Sequence, residues 1–133
     1  MDATRVTLPL RASEDVVRMR QAVRERAVQQ GLSLVDQTKL VTAASELGRN
    51  VIDHAGGGEV TISTELNGAQ RGVRLIFVDQ GPGIADVQLA LRAGYSTGSG
   101  LGLGLGGAKR LCNEFAIESQ PGAGTRITVA RWK

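Results

Sequence analysis

The sequence predicts an α+β fold in which helices cover one face of a mostly antiparallel, mixed sheet, as a two-layer sandwich. Three observations lead to this prediction. Two segments with helical periodicity come first, the chain then changes to strand-like alternation, and turn signals divide the strand-like part into hairpins. At 133 residues the chain is long enough for one hydrophobic core and too short for two, so we expect a single domain over 1–133.

The first half of the chain contains one strand and two helices. Alternating residues over 4–9 predict the strand, and Ser13, with acidic residues following it in the first turn, opens a helix that stops at Gly31. A second helix begins at Asp36, and its apolar residues recur at helical spacing up to the glycine run 56–58. Two helices therefore precede most of the sheet.

The second half of the chain supplies the rest of the sheet. Residues 59–66 and 71–79 read as strands that Asn67-Gly68 joins into an antiparallel hairpin. A short helix is expected over 84–91 and a longer one over 104–114. A second hairpin, 115–120 with 125–132, turns around 121–124.

Composition excludes several functional classes. Hydrophobic residues make up 41% and charged residues 22%, and no apolar run is long enough to span a membrane. The N-terminus shows no export signal, and Cys112, the single cysteine, cannot form an internal disulfide, so we expect a cytoplasmic protein with Cys112 buried in the third helix. The net charge is +3, but acidic residues are spread among the basic ones, and few aromatic residues could stack on a base. Both features disfavour nucleic-acid binding.

Glu46 and Asn50 form the first candidate site, on the second helix. Because they are four residues apart, they lie within about 40° of each other and border the packed stripe of the helix. One interpretation is a solvated helical edge. The other is a carboxylate and an amide oxygen that orient a hydroxyl and bind a hard cation such as Mg2+.

The second candidate is the turn Asp79-Gln-Gly-Pro-Gly83, which follows an apolar strand. A carboxylate that is buried at the end of such a strand needs hydrogen-bond donors to replace water. An adenine amino group is one possible donor, because the flanking Gly81 and Gly83 let a flat ring approach the backbone. An aspartate that stabilises its own turn is the alternative.

The third candidate is the glycine-rich stretch 98–107, which runs into the third predicted helix. Half of the 18 glycines lie between Gly81 and Gly107, and free backbone N–H groups at a glycine-rich helix start suit phosphate oxygens. Residues 102–107 fit G-x-G-x-x-G, but no strand runs into them. The P-loop pattern and the protein-kinase signatures H-R-D and D-F-G are absent. A nucleotide site here would belong to another class.

These motifs occur in the order Glu46-Leu-Gly-Arg-Asn50, Asp79-Gln-Gly-Pro-Gly83 and Gly100-Leu-Gly-Leu-Gly104, which resembles the GHKL (Bergerat) ATPase superfamily of gyrase, Hsp90, histidine kinases and MutL. The resemblance covers the whole chain, including the closing hairpin at 121–125. Within the superfamily, Val35-Asp-Gln-Thr, Tyr95-Ser-Thr-Gly and Lys109-Arg-Leu look like the RsbT-type switch kinases of bacterial stressosomes.

The resemblance implies a Bergerat fold, ATP and Mg2+ as cofactors, and a role for each motif. Asn50 would bind Mg2+, Glu46 would act as general base or orient the attacking hydroxyl, and Asp79 would accept a hydrogen bond from the adenine amino group. Phosphates would contact the glycine-rich loop, and the segment from Tyr95 would close as a lid. The implied ATP-binding residues are Asn50, Asp79, Gly81, Gly83, Tyr95, Ser96, Thr97, Gly100, Leu101, Gly102, Leu103 and Gly104.

The resemblance also implies protein partners. Such kinases phosphorylate serine or threonine on STAS-domain proteins in a stress-response module and then activate a PPM-type phosphatase. Two alternatives stay open at this stage: an anti-sigma-factor kinase that sequesters a sigma factor, and an ATP/ADP-dependent binding switch with little turnover. A histidine-kinase fragment is disfavoured, since no phospho-accepting dimerisation helix precedes the domain.

Overall fold

A computed structural model describes residues 5–84 and 104–133. Within these residues the elements are, in chain order, β1 (Arg5–Leu10), α1 (Ser13–Gln29), α2 (Leu34–Ala55), β2 (Gly58–Asn67), β3 (Gln70–Asp79), α3 (Gly104–Arg110), β4 (Glu114–Ser119) and β5 (Thr125–Trp132).

The described strands form one sheet in the order β1-β2-β3-β5-β4, and α1 and α2 pack against it. The predicted α+β class is therefore confirmed. Every pairing between the described strands is antiparallel, so the sheet contains no parallel pair within these residues, although the sequence led us to expect a mixed sheet. Tight turns join β2 to β3 and β4 to β5, and such turns can only produce antiparallel neighbours.

The hydrophobic core lies between the sheet and the helices. Alternate residues of the central strands face the helices, as the period of two requires. The core residues contributed by β2, β3 and β5 are Val60, Ile62, Val73, Leu75, Phe77, Ile127 and Val129, and none is more than 5% exposed. On the helix side, α1 and α2 approach closely at Gly48, where an added Cβ would lie 2.9 Å from Cε of Met19.

The ends of α1 and α2 are stabilised locally. The Asp15 carboxylate accepts hydrogen bonds from the backbone N–H groups of Arg11 and Ala12 at the start of α1. Ser33 caps α2 by accepting from the N–H of Asp36 at 3.1 Å, which is why α2 begins two residues before the predicted start. Gly56, with φ of 75°, ends α2 where the glycine run predicted it.

The third helix is shorter than predicted. We expected it to continue to residue 114, but α3 ends at Arg110, and β4 already begins at Glu114. The N–H groups of Leu111 and Cys112 bond three residues back, which tightens the last turn, and Asn113 then donates to Ala130 of β5. Pairing with the sheet thus overrides helix propensity. The short helix predicted over 84–91 lies outside the described residues, except for Ile84, which is not helical.

Among the helices that the structure describes, none is both long enough and apolar enough to cross a bilayer.

Candidate functional site

Glu46 is buried in the middle of α2, with 5% of its surface exposed. It stands among the apolar residues with which α2 meets the rest of the molecule, so the solvated-edge interpretation is wrong for this side chain. Within residues 5–84 and 104–133 no hydrogen bond or ion pair holds the carboxylate. A buried carboxylate of this kind has acceptor capacity that a ligand can use.

Asn50 follows Glu46 by one helical turn and is half-buried. Asp53, almost one further turn along, is exposed. The face that carries Glu46 and Asn50 therefore changes from buried to solvated toward the C-terminal end of α2.

Asp79 lies at the end of β3, and its Oδ1 accepts a hydrogen bond from the N–H of Gly81 at 2.9 Å. The turn-stabilising alternative considered from the sequence is therefore real, but it uses one carboxylate oxygen. Oδ2 accepts no hydrogen bond from the described residues, so the same carboxylate can hold the turn and bind a donor.

The turn that Asp79 begins packs against the C-terminal end of α2. A Cβ added at Gly81 would lie 2.5 Å from Cβ and 2.8 Å from Cα of Ala55. A Cβ added at Gly58 would lie 2.9 Å from Cγ1 of Val51 and 3.1 Å from Cβ of Asp79. The turn thus adjoins the helix that carries Glu46 and Asn50, and two glycines permit this approach.

The turn between β4 and β5 supports the other side of this region. Ser119 Oγ accepts from the N–H of Ile84 at 2.7 Å, and the N–H of Gly122 donates to the carbonyl of Pro82 at 2.7 Å. Gly83 has φ of 78°, and a Cβ there would collide with the carbonyl oxygen of Gln120. Ser119 could not be predicted from the sequence, because its partner is 35 residues away. The motif at 121–125 was the available signal for this contact.

The glycine-rich stretch is described only at its end. Gly104 is the first residue of α3, which packs against α2, and Leu105 and Ala108 are buried. The remaining residues predicted for this part of the site lie outside the described ones; they are Tyr95, Ser96, Thr97, Gly100, Leu101, Gly102 and Leu103.

A charged bridge that the sequence did not predict joins α2 to the end of α3, away from the Asp79 turn. Arg131 of β5 contacts Asp36 Oδ1 through Nη2 at 2.7 Å and donates from Nη1 to the carbonyl of Leu111 at 3.0 Å. The hydrogen bond from Arg131 lowers the pKa of the Asp36 carboxyl, against the opposing effect of burial. Burial raises the pKa of the neighbouring Cys112 thiol to about 11, so this thiol is protonated at neutral pH.

The oxygen donors of the site fit a magnesium-bound triphosphate. Mg2+ typically binds one or two protein oxygens together with substrate phosphates, and the Asn50 amide and the Glu46 carboxylate are oxygen donors one turn apart on α2. Among the described residues no three of His, Cys, Asp and Glu form a cluster suited to a metal. The two oxygen donors on α2 are of the kind that suits a cation which brings phosphate ligands of its own.

Comparison with known proteins gives one family. Residues 35–133 match the family described as histidine kinase-, DNA gyrase B-, and HSP90-like ATPase. The chain is 42% identical over 118 residues to the serine/threonine-protein kinase RsbT of Bacillus subtilis, with 89% of each chain covered.

Solved structures show the same fold. The RsbU and RsbW domains of a Mycobacterium tuberculosis protein match with a TM-score of 0.67 and 21% identity over all of this chain. This chain spans only 33% of that longer one. The catalytic domain of the histidine kinase ThkA matches with a TM-score of 0.52 and 15% identity, over 98% of this chain and 95% of that domain.

Proposed function

We propose a reaction for this chain from its family: the chain belongs to the histidine kinase-, DNA gyrase B- and HSP90-like ATPases and, within them, to the RsbT-type serine/threonine-protein kinases. The proposed reaction is transfer of the γ-phosphoryl group of Mg-ATP to a serine or threonine of a STAS-domain protein. The alternatives raised by the sequence, an anti-sigma-factor kinase and a binding switch, become outcomes of the experiments below.

One observation carries the proposal: the Asp79 turn packs on the end of the helix that bears Glu46 and Asn50. Asn50 and Ala55 are five residues apart, which is about 7.5 Å along the helix axis. Glu46 is about 6 Å further from the turn. These separations are of the order of an extended nucleotide, from its base to its phosphates.

Each residue then has a role. Oδ2 of Asp79 would accept a hydrogen bond from the adenine amino group while Oδ1 keeps its bond to Gly81. Asn50 would hold Mg2+, which neutralises phosphate charge. The Glu46 carboxylate would orient the attacking hydroxyl and accept its proton, and phosphoryl transfer depends mainly on such positioning and on charge neutralisation.

We also propose the setting implied by the family resemblance. The chain would act as a single domain over 1–133, in the cytoplasm, on STAS-domain proteins of a stress-response module. It would afterwards activate a PPM-type phosphatase. Support for one domain comes from the core, because residues from both helices and all the central strands form one cluster among the described residues.

The nucleotide assignment is tested with Asp79→Asn. Asparagine keeps the oxygen that accepts from Gly81 but replaces Oδ2 by a donor, so the turn should persist while the adenine contact is lost. We expect an unchanged melting temperature and ATP affinity reduced roughly tenfold or more, as for a hydrogen bond to a charged group. ATP bound with wild-type affinity by Asp79→Asn would exclude the Asp79 contact.

The transfer reaction is tested by incubating the protein with Mg-ATP and purified STAS-domain proteins, and by locating phosphoserine or phosphothreonine by mass spectrometry. Glu46→Ala and Asn50→Ala should abolish transfer, whereas Asp53→Ala, on the exposed end of the same helix, should transfer like the wild type. Transfer by both site variants would refute the assignment of Glu46 and Asn50. Tight ATP binding without any product would favour the binding switch, and capture of a sigma factor would favour the anti-sigma-factor kinase.

A further inference from the structure

Arg131 connects three elements through a single side chain. It lies on β5 with its side chain 14% exposed, and alternation along β5 with buried Ile127 and Val129 turns it toward the helices. Nη2 bonds to Asp36 in the first turn of α2, and Nη1 bonds to the carbonyl of Leu111, directly after α3. The start of α2 and the end of α3 are therefore held by one guanidinium.

Asp36, the partner of Arg131 on α2, lies near the face of the helix that carries Asn50. Asp36 and Asn50 are fourteen residues apart, so they differ by about 40° around the helix axis. α3 packs against α2, and its carboxyl end is fixed at Asp36 through Arg131. Because both helices are rigid over these distances, the bridge and the packing of α3 on α2 together constrain where Gly104, at the other end of α3, stands relative to α2.

The chemistry of the bridge favours fixed geometry over stability. Arg131 Nε is buried and has no hydrogen-bond partner among the described residues. A partly buried ion pair with an unsatisfied donor stabilises a fold little better than apolar side chains of the same volume. A planar guanidinium that donates in two directions, however, fixes the orientation of its partners, which apolar contacts do not.

We propose that Arg131 is a positioning residue of the nucleotide site, which holds α3 against α2 so that the phosphate-bearing part of ATP meets Asn50 and Gly104 at the required separation. This inference rests on the proposed ATP binding. It predicts a specific pattern: loss of the bridge weakens binding of the triphosphate and leaves binding of the nucleoside unchanged, since the Asp79 turn is held by other contacts.

The test compares Arg131→Met with Arg74→Met. Arg74 is an arginine of the adjacent strand that forms ion pairs with Glu65 and Glu114, and by alternation it lies on the opposite face of the sheet. Affinities for Mg-ATP and for adenosine are measured by calorimetry and NMR titration, with melting temperatures recorded on the same samples. We expect Arg131→Met to weaken Mg-ATP binding about tenfold with adenosine affinity unchanged, and Arg74→Met to change neither.

Two conservative variants keep the test decisive if Arg131→Met fails to fold. Arg131→Lys keeps the charge beside Asp36 but cannot also bond to Leu111 in the same geometry. It should therefore also lose Mg-ATP affinity while its adenosine affinity stays unchanged. Asp36→Asn keeps an acceptor oxygen for Arg131, so it should lose less Mg-ATP affinity than the Arg131 variants do.

The outcomes separate the inference from the proposed function. Unchanged Mg-ATP affinity in folded Arg131 variants, or an equal loss for Mg-ATP and adenosine, would overturn the positioning role and leave a structural one. Failure of the wild-type protein to bind Mg-ATP at all would overturn the proposed function and this inference with it.

Discussion

At the scale of single residues, the candidate site depends mainly on positions where glycine has no side chain. Gly81 is the sharpest case, because the position of its absent Cβ is already occupied by Ala55 at the end of α2. The backbone of Gly81 has no positive φ, so sterics alone explain the glycine there. Contact between the Asp79 turn and α2 thus depends on one missing methyl group.

This contact predicts the effect of Gly81→Ala. The new methyl group must push the turn away from α2, so we expect a loss of stability of about 1–3 kcal/mol, typical of overpacking, together with weaker ATP binding. Chemical denaturation and nucleotide titration measure the two effects. The double variant Gly81→Ala/Ala55→Gly removes the nearer contact at 2.5 Å but leaves Cα of residue 55 at 2.8 Å, so it should recover only part of the ATP affinity. Wild-type stability and ATP affinity in Gly81→Ala would show that the site does not depend on the missing methyl group.

At the scale of elements, α2 is the helix on which the site depends. It carries Glu46 and Asn50, meets the Asp79 turn at its C-terminal end, and contacts the Arg131 bridge at its N-terminal end. Its start is defined by Ser33, whose hydroxyl accepts from the N–H of Asp36.

Removal of this cap tests how α2 is held. We expect Ser33→Ala to reduce the free energy of unfolding by about 1 kcal/mol, because it leaves a helix N–H group without its side-chain acceptor. Ser45→Ala is the matched control on the same helix: Ser45 donates to the carbonyl of Val41, and such bonds within a helix contribute little to stability. Equal effects of the two substitutions in urea denaturation would contradict a specific capping role for Ser33.

At the scale of the whole molecule, the Arg131–Asp36 pair joins residues that are 95 positions apart. Its hydrogen bond lowers the pKa of Asp36 below the usual 3.8. The folded state therefore binds the Asp36 proton less tightly than the unfolded state does. Asp36 stabilises the fold above pH 3.8, and this contribution is lost as the pH falls through the lowered pKa.

The pH dependence of unfolding tests this link between distant parts of the chain. Asp36→Asn should be less stable than the wild type near neutral pH, because the charge-assisted bond to Arg131 is weakened. The difference in unfolding free energy should begin to shrink as the pH falls below 3.8, where Asp36 of the unfolded chain takes up its proton, and should continue to shrink toward the lowered pKa of the folded state. Urea denaturation between pH 3 and pH 7 measures the difference. A difference that stays constant down to pH 3 would show that Asp36 does not titrate as the bridge requires.

The sequence by itself determined the class of fold, most element boundaries and the family. Helical periodicity, hairpin turns and the order of three short motifs are local properties, so they are visible without coordinates. The α+β fold and the family resemblance are both confirmed. The roles of Glu46, Asn50, Asp79 and the glycines remain predictions, and the part of the site from Tyr95 to Leu103 lies outside the described residues.

Tertiary structure decided the features that depend on distance between remote segments. Pairing of Asn113 with β5 ended α3 earlier than its helical pattern predicted, and the burial of Glu46 followed from what packs around α2. The contact of Gly81 with Ala55 and the bridge from Arg131 to Asp36 carry no local signal, because neither partner lies within one turn of the other in the chain. Periodicity tells which face of an element is buried, whereas only the folded chain fixes which remote residue meets it.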